Sequence, residues 1–273
     1  MNRPDDPLAM KLHEGRFYGG KALIVLGGDS GKDWQKLRDE IKPDVILGAN
    51  GVCFEIDDLD YHVVTENLHM AAGRAAKGDV RYKRIMEIIS PKNTANVKLI
   101  SYLNWQGVPL VDSRIQAIKI RRLGELGADY EAQFKAFSFR EYREGFLAGP
   151  MFDHPGALTS PKIKYRIGTV AAQLLHMAGI LGAAEVHSIG MDFCFKDPTK
   201  HHWYKSGYPT YQPDKFRTGK MFLEHRGLQT QHDWLAGARW LRDEIESLMK
   251  RDGLKWVDHS DGLLKAKGLE CAR

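Results

Sequence analysis

The sequence predicts an α/β protein with a Rossmann-like, mostly parallel sheet flanked by helices and carrying a lid segment. Three observations carry that prediction. Ala22-Leu-Ile-Val-Leu26 is a continuous apolar run between glycines, the pattern of a strand buried on both faces. Further short apolar runs alternate with stretches of helical spacing, as parallel sheets built from strand-helix-strand units do. The segment from Gly168 to Phe195 then joins a small-residue helix, a stop at Gly182, a strand Glu185 to Ile189, and Asp192 just past Gly190. A strand ending this way delivers a carboxyl group to the carboxyl edge of a sheet, where open α/β folds bind ligands.

Taken in order, residues 1–18 read as a Pro-rich, polar N-terminal arm, and residues 19–273 as one domain with organised structure from Lys21. Trp34 to Ile41 has helical spacing. Asp44 to Gly48 and Tyr61 to Thr65 read as strands two and three, each followed by a polar loop. Arg81 to Ile89 reads as a helix, and Val97 to Tyr102 and Val108 to Val111 as strands four and five. Between Arg114 and about Ser160, aromatic and charged residues alternate irregularly, and this stretch is taken as helices on the flank of the sheet. Residues 196–226, rich in Lys, His, Tyr and Pro, are longer than an ordinary connection and form the expected lid. Trp234 to Met249 returns to helical spacing, and Leu254 to Val257 is a last strand.

Composition narrows the function. Apolar residues make up 43% and charged residues 27% of 273, which is a globular balance rather than a disordered one. No apolar run reaches the length needed to cross a bilayer, and the N-terminus lacks a secretion signal, so a cytoplasmic protein is expected. Cys53, Cys194 and Cys271 are widely spaced, which gives no disulfide framework and no zinc site. Forty basic residues against 35 acidic ones are interspersed along the chain, so the net +5 suits small anions such as nucleotides better than long nucleic acid.

Glycines in Leu26-Gly27-Gly28-Asp29-Ser30-Gly31 suit either a phosphate held by backbone N–H groups at a helix start or a plain tight turn. The loop matches neither a dinucleotide fingerprint nor a Walker loop. The second strand leaves through Ala49-Asn50-Gly51, where Asn50 offers both a donor and an acceptor or simply marks a turn. The third leaves at Thr65-Glu66-Asn67, so Gly28, Asn50 and Glu66 converge near one edge. Lys162, Lys164 and Arg166 read as an edge-strand face or an anion attractor, and His176 as a packing residue. Adjacent His201 and His202 do not suggest zinc.

The succession of a Gly-rich first turn, Ala-Asn-Gly, Thr-Glu-Asn, Gly-Thr-Val-Ala-Ala, Leu-Gly-Ala-Ala-Glu-Val and Ile-Gly-Met-Asp-Phe resembles the bacterial sialyltransferases with a variant GT-A fold. It is equally similar to the related domain family that includes the 6-hydroxymethylpterin diphosphokinases. The match covers about residues 21–68 and 166–258. It implies a glycosyltransferase whose CMP-sugar donor is held by Gly27, Gly28 and Asn50, with Asp29, Ser30, Glu66, Gly168, Thr169 and Gly190 completing the nucleotide set and Asp192 at the reacting edge. By the same resemblance His225, or next His232, is the base that deprotonates the acceptor hydroxyl.

The chain departs from the sialyltransferase pattern at two points. Its first loop lacks the usual Asn and Pro, and Cys194 stands where a tyrosine supports the leaving phosphate; Tyr204, Tyr208 or Tyr211 of the lid are the candidates to replace it. Asp29 suits a ribose hydroxyl or a water-held metal. The implied enzyme uses no bound cofactor or metal. The alternatives are a diphosphokinase-like enzyme moving pyrophosphate from ATP, with Mg²⁺ at Asp29 or Asp192, and a non-catalytic nucleotide-binding protein. The expected partners are a nucleotide or nucleotide-sugar and a small hydroxyl acceptor, with a homo-oligomer compatible with either.

Overall fold

The computed structural model describes residues 13–64, 68–101, 112–124, 129–143, 145–153, 164–166, 169–196, 203, 222–225 and 227–265. Seven strands form a wholly parallel sheet: β1 (Lys21–Val25), β2 (Val45–Ala49), β3 (Tyr61–Val64), β4 (Val97–Ser101), β5 (Ile115–Ile118), β9 (Glu185–Ile189) and β12 (Lys255–Asp258). Their order is β12-β9-β1-β2-β3-β4-β5, so the chain runs outward from β1 in one direction and later returns to its other side through β9 and β12. A three-stranded sheet follows the order β6-β7-β8, from Ile120–Leu123, Phe146–Asp153 and Lys164–Arg166. Strands β10 (Phe222–His225) and β11 (Leu228–Gln231) form an antiparallel hairpin.

Alternate residues of the central strands feed two cores, as the pleat requires. On one face Leu23, Val25, Ile46, Val64 and Ile100 pack with α1 (Trp34–Ile41), α2 (Leu68–Ala76) and α3 (Val80–Glu87). On the other, Ala22, Ile24, Leu47, Val63 and Leu99 meet α5 (Val170–Ile180) and the C-terminal helix, which runs as α6 (His232–Trp240), a π turn at Leu241–Ile245 and α7 (Glu246–Arg251). Helix α5 is buried almost throughout, and its alanines and Gly179 allow the close approach. His176 within it is fully buried and satisfied: Leu147 N donates to its Nδ1 at 3.2 Å, and its Nε2 lies 2.9 Å from Glu141 O.

Lys98 is a buried charged residue in a largely apolar sheet. It sits fully buried in β4, where its Nζ donates to Asp112 Oδ2 at 2.5 Å and to Ser90 O at 2.7 Å. Arg114 closes on the same carboxyl group at 2.8 Å. A buried cation held this way is paired rather than isolated, which is the condition for its tolerance. The guanidinium of Arg114 holds the Asp112 carboxyl well below the ordinary range, against the opposing effect of burial.

Several sequence expectations need correction. Among the described residues of 114–160, strand outweighs helix: β5 and β6 follow one another across Lys119, β7 follows, and the only helix there is α4 (Tyr130–Ala136). The fifth strand of the sheet is Ile115–Ile118; the expected Val108–Val111 lies outside the described residues. After β3 comes helix α2 rather than only a polar loop. Order begins before Lys21, since Gly15, Phe17 and Gly19 donate to the carbonyls of Ile180, Leu181 and Gly182, and His13 Nδ1 lies 2.9 Å from the Tyr61 hydroxyl. Among the described residues no helix is long and apolar enough to cross a membrane.

Candidate functional site

Because β2 to β5 extend to one side of β1 while β9 and β12 extend to the other, the strand order reverses between β1 and β9. A crevice outside the carboxyl ends of open α/β sheets forms at such a point. Here the exits of both strands are tied together. Gly28 N donates to Gly190 O at 2.9 Å, and Gly190 N to Ser30 Oγ at 3.0 Å. Ser30 donates twice to Asp192, from N to Oδ2 at 2.9 Å and from Oγ to Oδ1 at 2.5 Å.

The glycines are required by this approach. A Cβ on Gly28 would lie 2.7 Å from Gly190 O and 2.8 Å from the Asp192 carboxyl, and one on Gly190, whose φ is +80°, would strike Leu26 O. Asp192 is almost fully buried. A strap after β12 wraps it from the other side: Asp261 N approaches Asp192 Oδ1 at 3.3 Å, Leu263 N donates to Asp192 O at 2.9 Å, and Met191 N donates to Ser260 Oγ at 2.8 Å. Asp192 therefore acts as a clasp between two turns 162 residues apart in sequence.

That geometry changes the reading of the first loop. The N–H groups of Gly28, Ser30 and Gly31 already donate to Gly190 O, Asp192 and Gly28 O, so they point inward. Trp203 covers the same turn, its Nε1 donating to Leu26 O at 2.8 Å and its N to Gly27 O at 3.2 Å. On the rim, Lys32 pairs with Asp29 at 2.9 Å and Lys196 with Asp261 at 2.5 Å. Against partial burial, the carboxyl groups of Asp261, Asp192 and Asp29 hold Lys196 above the ordinary lysine value.

Asn50 opens the 3₁₀ turn Asn50–Phe54 at the exit of β2, with φ at +55°. Its carbonyl accepts from His62 Nε2 at 2.8 Å, and the other ring nitrogen of His62 lies 3.0 Å from Asn93 Nδ2. Complete burial lowers His62 to about 4, so the imidazole is neutral and serves as a brace. Phe193, at the β9 exit, also holds a positive φ of +52°. Non-glycine residues in this region cost free energy and gather at functional corners.

The hairpin β10-β11 is fastened to that corner: Thr230 Oγ1 donates to Phe193 O at 2.6 Å and Phe195 N to Gln229 O at 2.7 Å. His225 ends β10, next to the hairpin turn and opposite Leu228. Thr169 caps α5, its side chain accepting from Ala171 N at 3.2 Å. Burial pushes the Cys194 thiol up to about 11, aided by Asp192, so it is a neutral packing group rather than a substitute for an acidic phenol.

The structure thus brings Gly27, Gly28, Asp29, Ser30, Gly190 and Asp192 together, sets Asn50 at the next-but-one strand exit from β9, and ties the His225 hairpin to the same edge. Glu66, Gly168, Tyr204, Tyr208 and Tyr211 lie outside the described residues. Sequence reasoning missed Trp203, the His62 brace and the Ser260–Leu263 strap. Ser260-Asp261-Gly262 after the last strand was the available signal for the strap. A Mg²⁺ site fits poorly at the two carboxyl groups suggested for it, because Asp192 accepts protein donors on both oxygens and Asp29 faces Lys32. Among the described residues no group of three or more His, Cys, Asp or Glu side chains is placed to hold a metal ion. No family model, curated protein or solved structure matches the chain.

Proposed function

We propose that the chain is a nucleotide-dependent transferase of the sialyltransferase-like type, seating a nucleotide-sugar at the carboxyl edge between the exits of β1 and β2. The observation that supports this reading is the exit of β2 at Asn50, held at φ +55° with its carbonyl accepting from His62, one strand from the point where strand order reverses. The Ser30–Asp192 clasp ties the β1 and β9 exits together, so the reading seats the ligand on the Asn50 side. Asn50 has a backbone fixed by His62 and an amide suited to a base or ribose, while Lys32 and Lys196, each paired with a carboxylate, stand on the rim. His225, on a hairpin fastened to the same edge, is the base for the acceptor hydroxyl, and the lid tyrosines Tyr204 and Tyr211 support the leaving phosphate.

The Mg²⁺-dependent diphosphokinase reading draws less support, since Asp29 and Asp192 are both engaged. Thermal-shift measurements with CMP, CDP, UDP and ATP, each with and without Mg²⁺, separate the readings. Stabilisation by CMP without metal is expected. Stabilisation by ATP only with Mg²⁺ favours the diphosphokinase, and no stabilisation by any nucleotide removes both.

A further inference from the structure

The corner at Asn50 holds a φ of +55°, which glycine would adopt without strain, yet asparagine stands there. Its carbonyl is held from inside the protein, with His62 Nε2 at 2.8 Å and Cys53 Sγ donating at 3.4 Å. The other ring nitrogen of His62, Nδ1, lies 3.0 Å from Nδ2 of Asn93, and both side chains are fully buried.

Each hydrogen in this chain of groups has one place. A carbonyl oxygen only accepts, so His62 carries a hydrogen on Nε2. Asn93 is oriented by two further bonds: Nδ2 donates to Ile88 O at 2.8 Å, and Oδ1 accepts from Ala95 N at 3.1 Å. The reverse orientation would set oxygen against Ile88 O and an amino group against the Ala95 N–H, so the nitrogen of the amide faces His62. Its second hydrogen then goes to His62 Nδ1, which must be the bare acceptor of a neutral ring. Burial opposes the charged ring, and so does Lys98, opposite His62 in β4.

The segment that bears Asn93 is itself fixed. Arg114 donates to the carbonyls of Asn93 at 3.0 Å, Thr94 at 3.1 Å and Ala95 at 3.3 Å, and Lys98 donates to Ser90 O at 2.7 Å. We propose that Asn93 and His62 are positioning residues for ligand binding: Asn93 fixes the ring, and the ring's Nε2–H holds Asn50 in the left-handed conformation used at the seat. A non-glycine residue in that region gives up free energy that a tie of this kind offsets. The inference rests on the proposed nucleotide seat for its ligand, while the relay itself is measured without one.

Long-range ¹H–¹⁵N correlation NMR of the full chain between pH 5.5 and 7.5 should show His62 in a single neutral form with its hydrogen on Nε2. The Asn50 Cα and Cβ shifts should report the left-handed conformation. Asn93→Leu keeps the branching of the side chain and removes its donors, so it should release Asn50 from that conformation and weaken CMP binding by on the order of tenfold in calorimetry. In an Asn50→Gly protein the same substitution should change CMP affinity by less than about twofold, because the loss passes through Asn50; a merely structural role would weaken both proteins alike. His62→Gln keeps an N–H for the Asn50 carbonyl and should bind CMP as the wild type does, whereas His62→Leu should match Asn93→Leu. That pair carries the test if Asn93→Leu does not fold. An Nδ1–H or mixed tautomer, left-handed Asn50 shifts that persist in Asn93→Leu or His62→Leu, or equal losses in the two backgrounds each overturns the relay. A wild type that binds no CMP removes the seat, and the ring and backbone signals then decide the relay alone.

Discussion

Replacing Asp192 by alanine should unfold the site's corner before it alters any chemistry. The substitution removes both acceptors of Ser30, at 2.9 and 2.5 Å, and the weaker one of Asp261 N at 3.3 Å. Ser30 and Asp192 are both buried, so water does not replace the lost oxygens. A net hydrogen bond contributes about 1 kcal/mol and a buried donor left without an acceptor costs about 1–3 kcal/mol, which gives about 3–5 kcal/mol in all. For a domain of this size that lowers the unfolding midpoint by roughly 10 °C.

Ser30→Ala should cost less, about 2 kcal/mol, because it removes one donor to Asp192 and strands Gly190 N, which donates to Ser30 Oγ at 3.0 Å. Since the two side chains act on each other, the double variant should be less destabilised than the sum by at least about 1 kcal/mol. Differential scanning calorimetry of the wild type, both single variants and the double variant gives all four quantities. A midpoint for Asp192→Ala within about 2 °C of wild type, or strict additivity, would refute the clasp.

Three further outcomes are expected of the same structure. Gly190→Ala forces an alanine to φ of +80° and its Cβ into Leu26 O, so it should cost more than Asp192→Ala and yield little folded protein, as soluble expression and circular dichroism would show. His62 and His176 are buried with values lowered to about 4 by desolvation, so each contributes about 3 kcal/mol at neutral pH that is lost as the pH falls from about 6.5 towards 4; urea midpoints that stay constant over that range would contradict this. Arg140→Met should lower stability by about 3 kcal/mol, because the guanidinium donates to the carbonyls of Ala183 at 2.8 Å, Asp252 at 3.1 Å and Gly253 at 3.2 Å, which tie α5 to the end of α7; a denaturation curve overlaying wild type would show the tie to be dispensable.

The parts of the fold legible in the sequence are those where local pattern and environment agree. Trp34–Ile41 and Glu185–Ile189 match their expected bounds, because one has a single apolar stripe and the other ends at a glycine that the β1 exit demands. The stretch from Arg114 to Ser160 misled because β5 and β6 are only four residues each and β6 carries two arginines. Arg121 and Arg122 sit at a register shift against β7, and Tyr142 and Phe146 are held at the Lys119 junction, where Lys119 N donates to the Tyr142 hydroxyl at 2.7 Å and Phe146 N to Lys119 O at 2.8 Å. In Leu68–Ala76 the alanines favour a helix, while Gly73 and the polar approach to it masked the signal.

The site was legible as a set of strand exits and not as a set of bonds. Asp192 was visible beyond a strand, but its partner Ser30 lies 162 residues away, and no local spacing records that pairing. Lys98 and His62 likewise looked like ordinary polar residues in strands. Their burial depends on Asp112, Ser90 and Asn93, which only the tertiary fold supplies.

The seat for a nucleotide beside Asn50 is tested most directly by calorimetric titration of CMP, without metal, into the wild type and Asn50→Gly. Glycine accepts the φ of +55° without strain, so the variant removes only the side chain. The structure leads us to expect measurable binding to the wild type and binding at least tenfold weaker, about 1.4 kcal/mol, to the variant. Equal affinity for both proteins, or no binding to the wild type at millimolar CMP, would contradict the proposed seat.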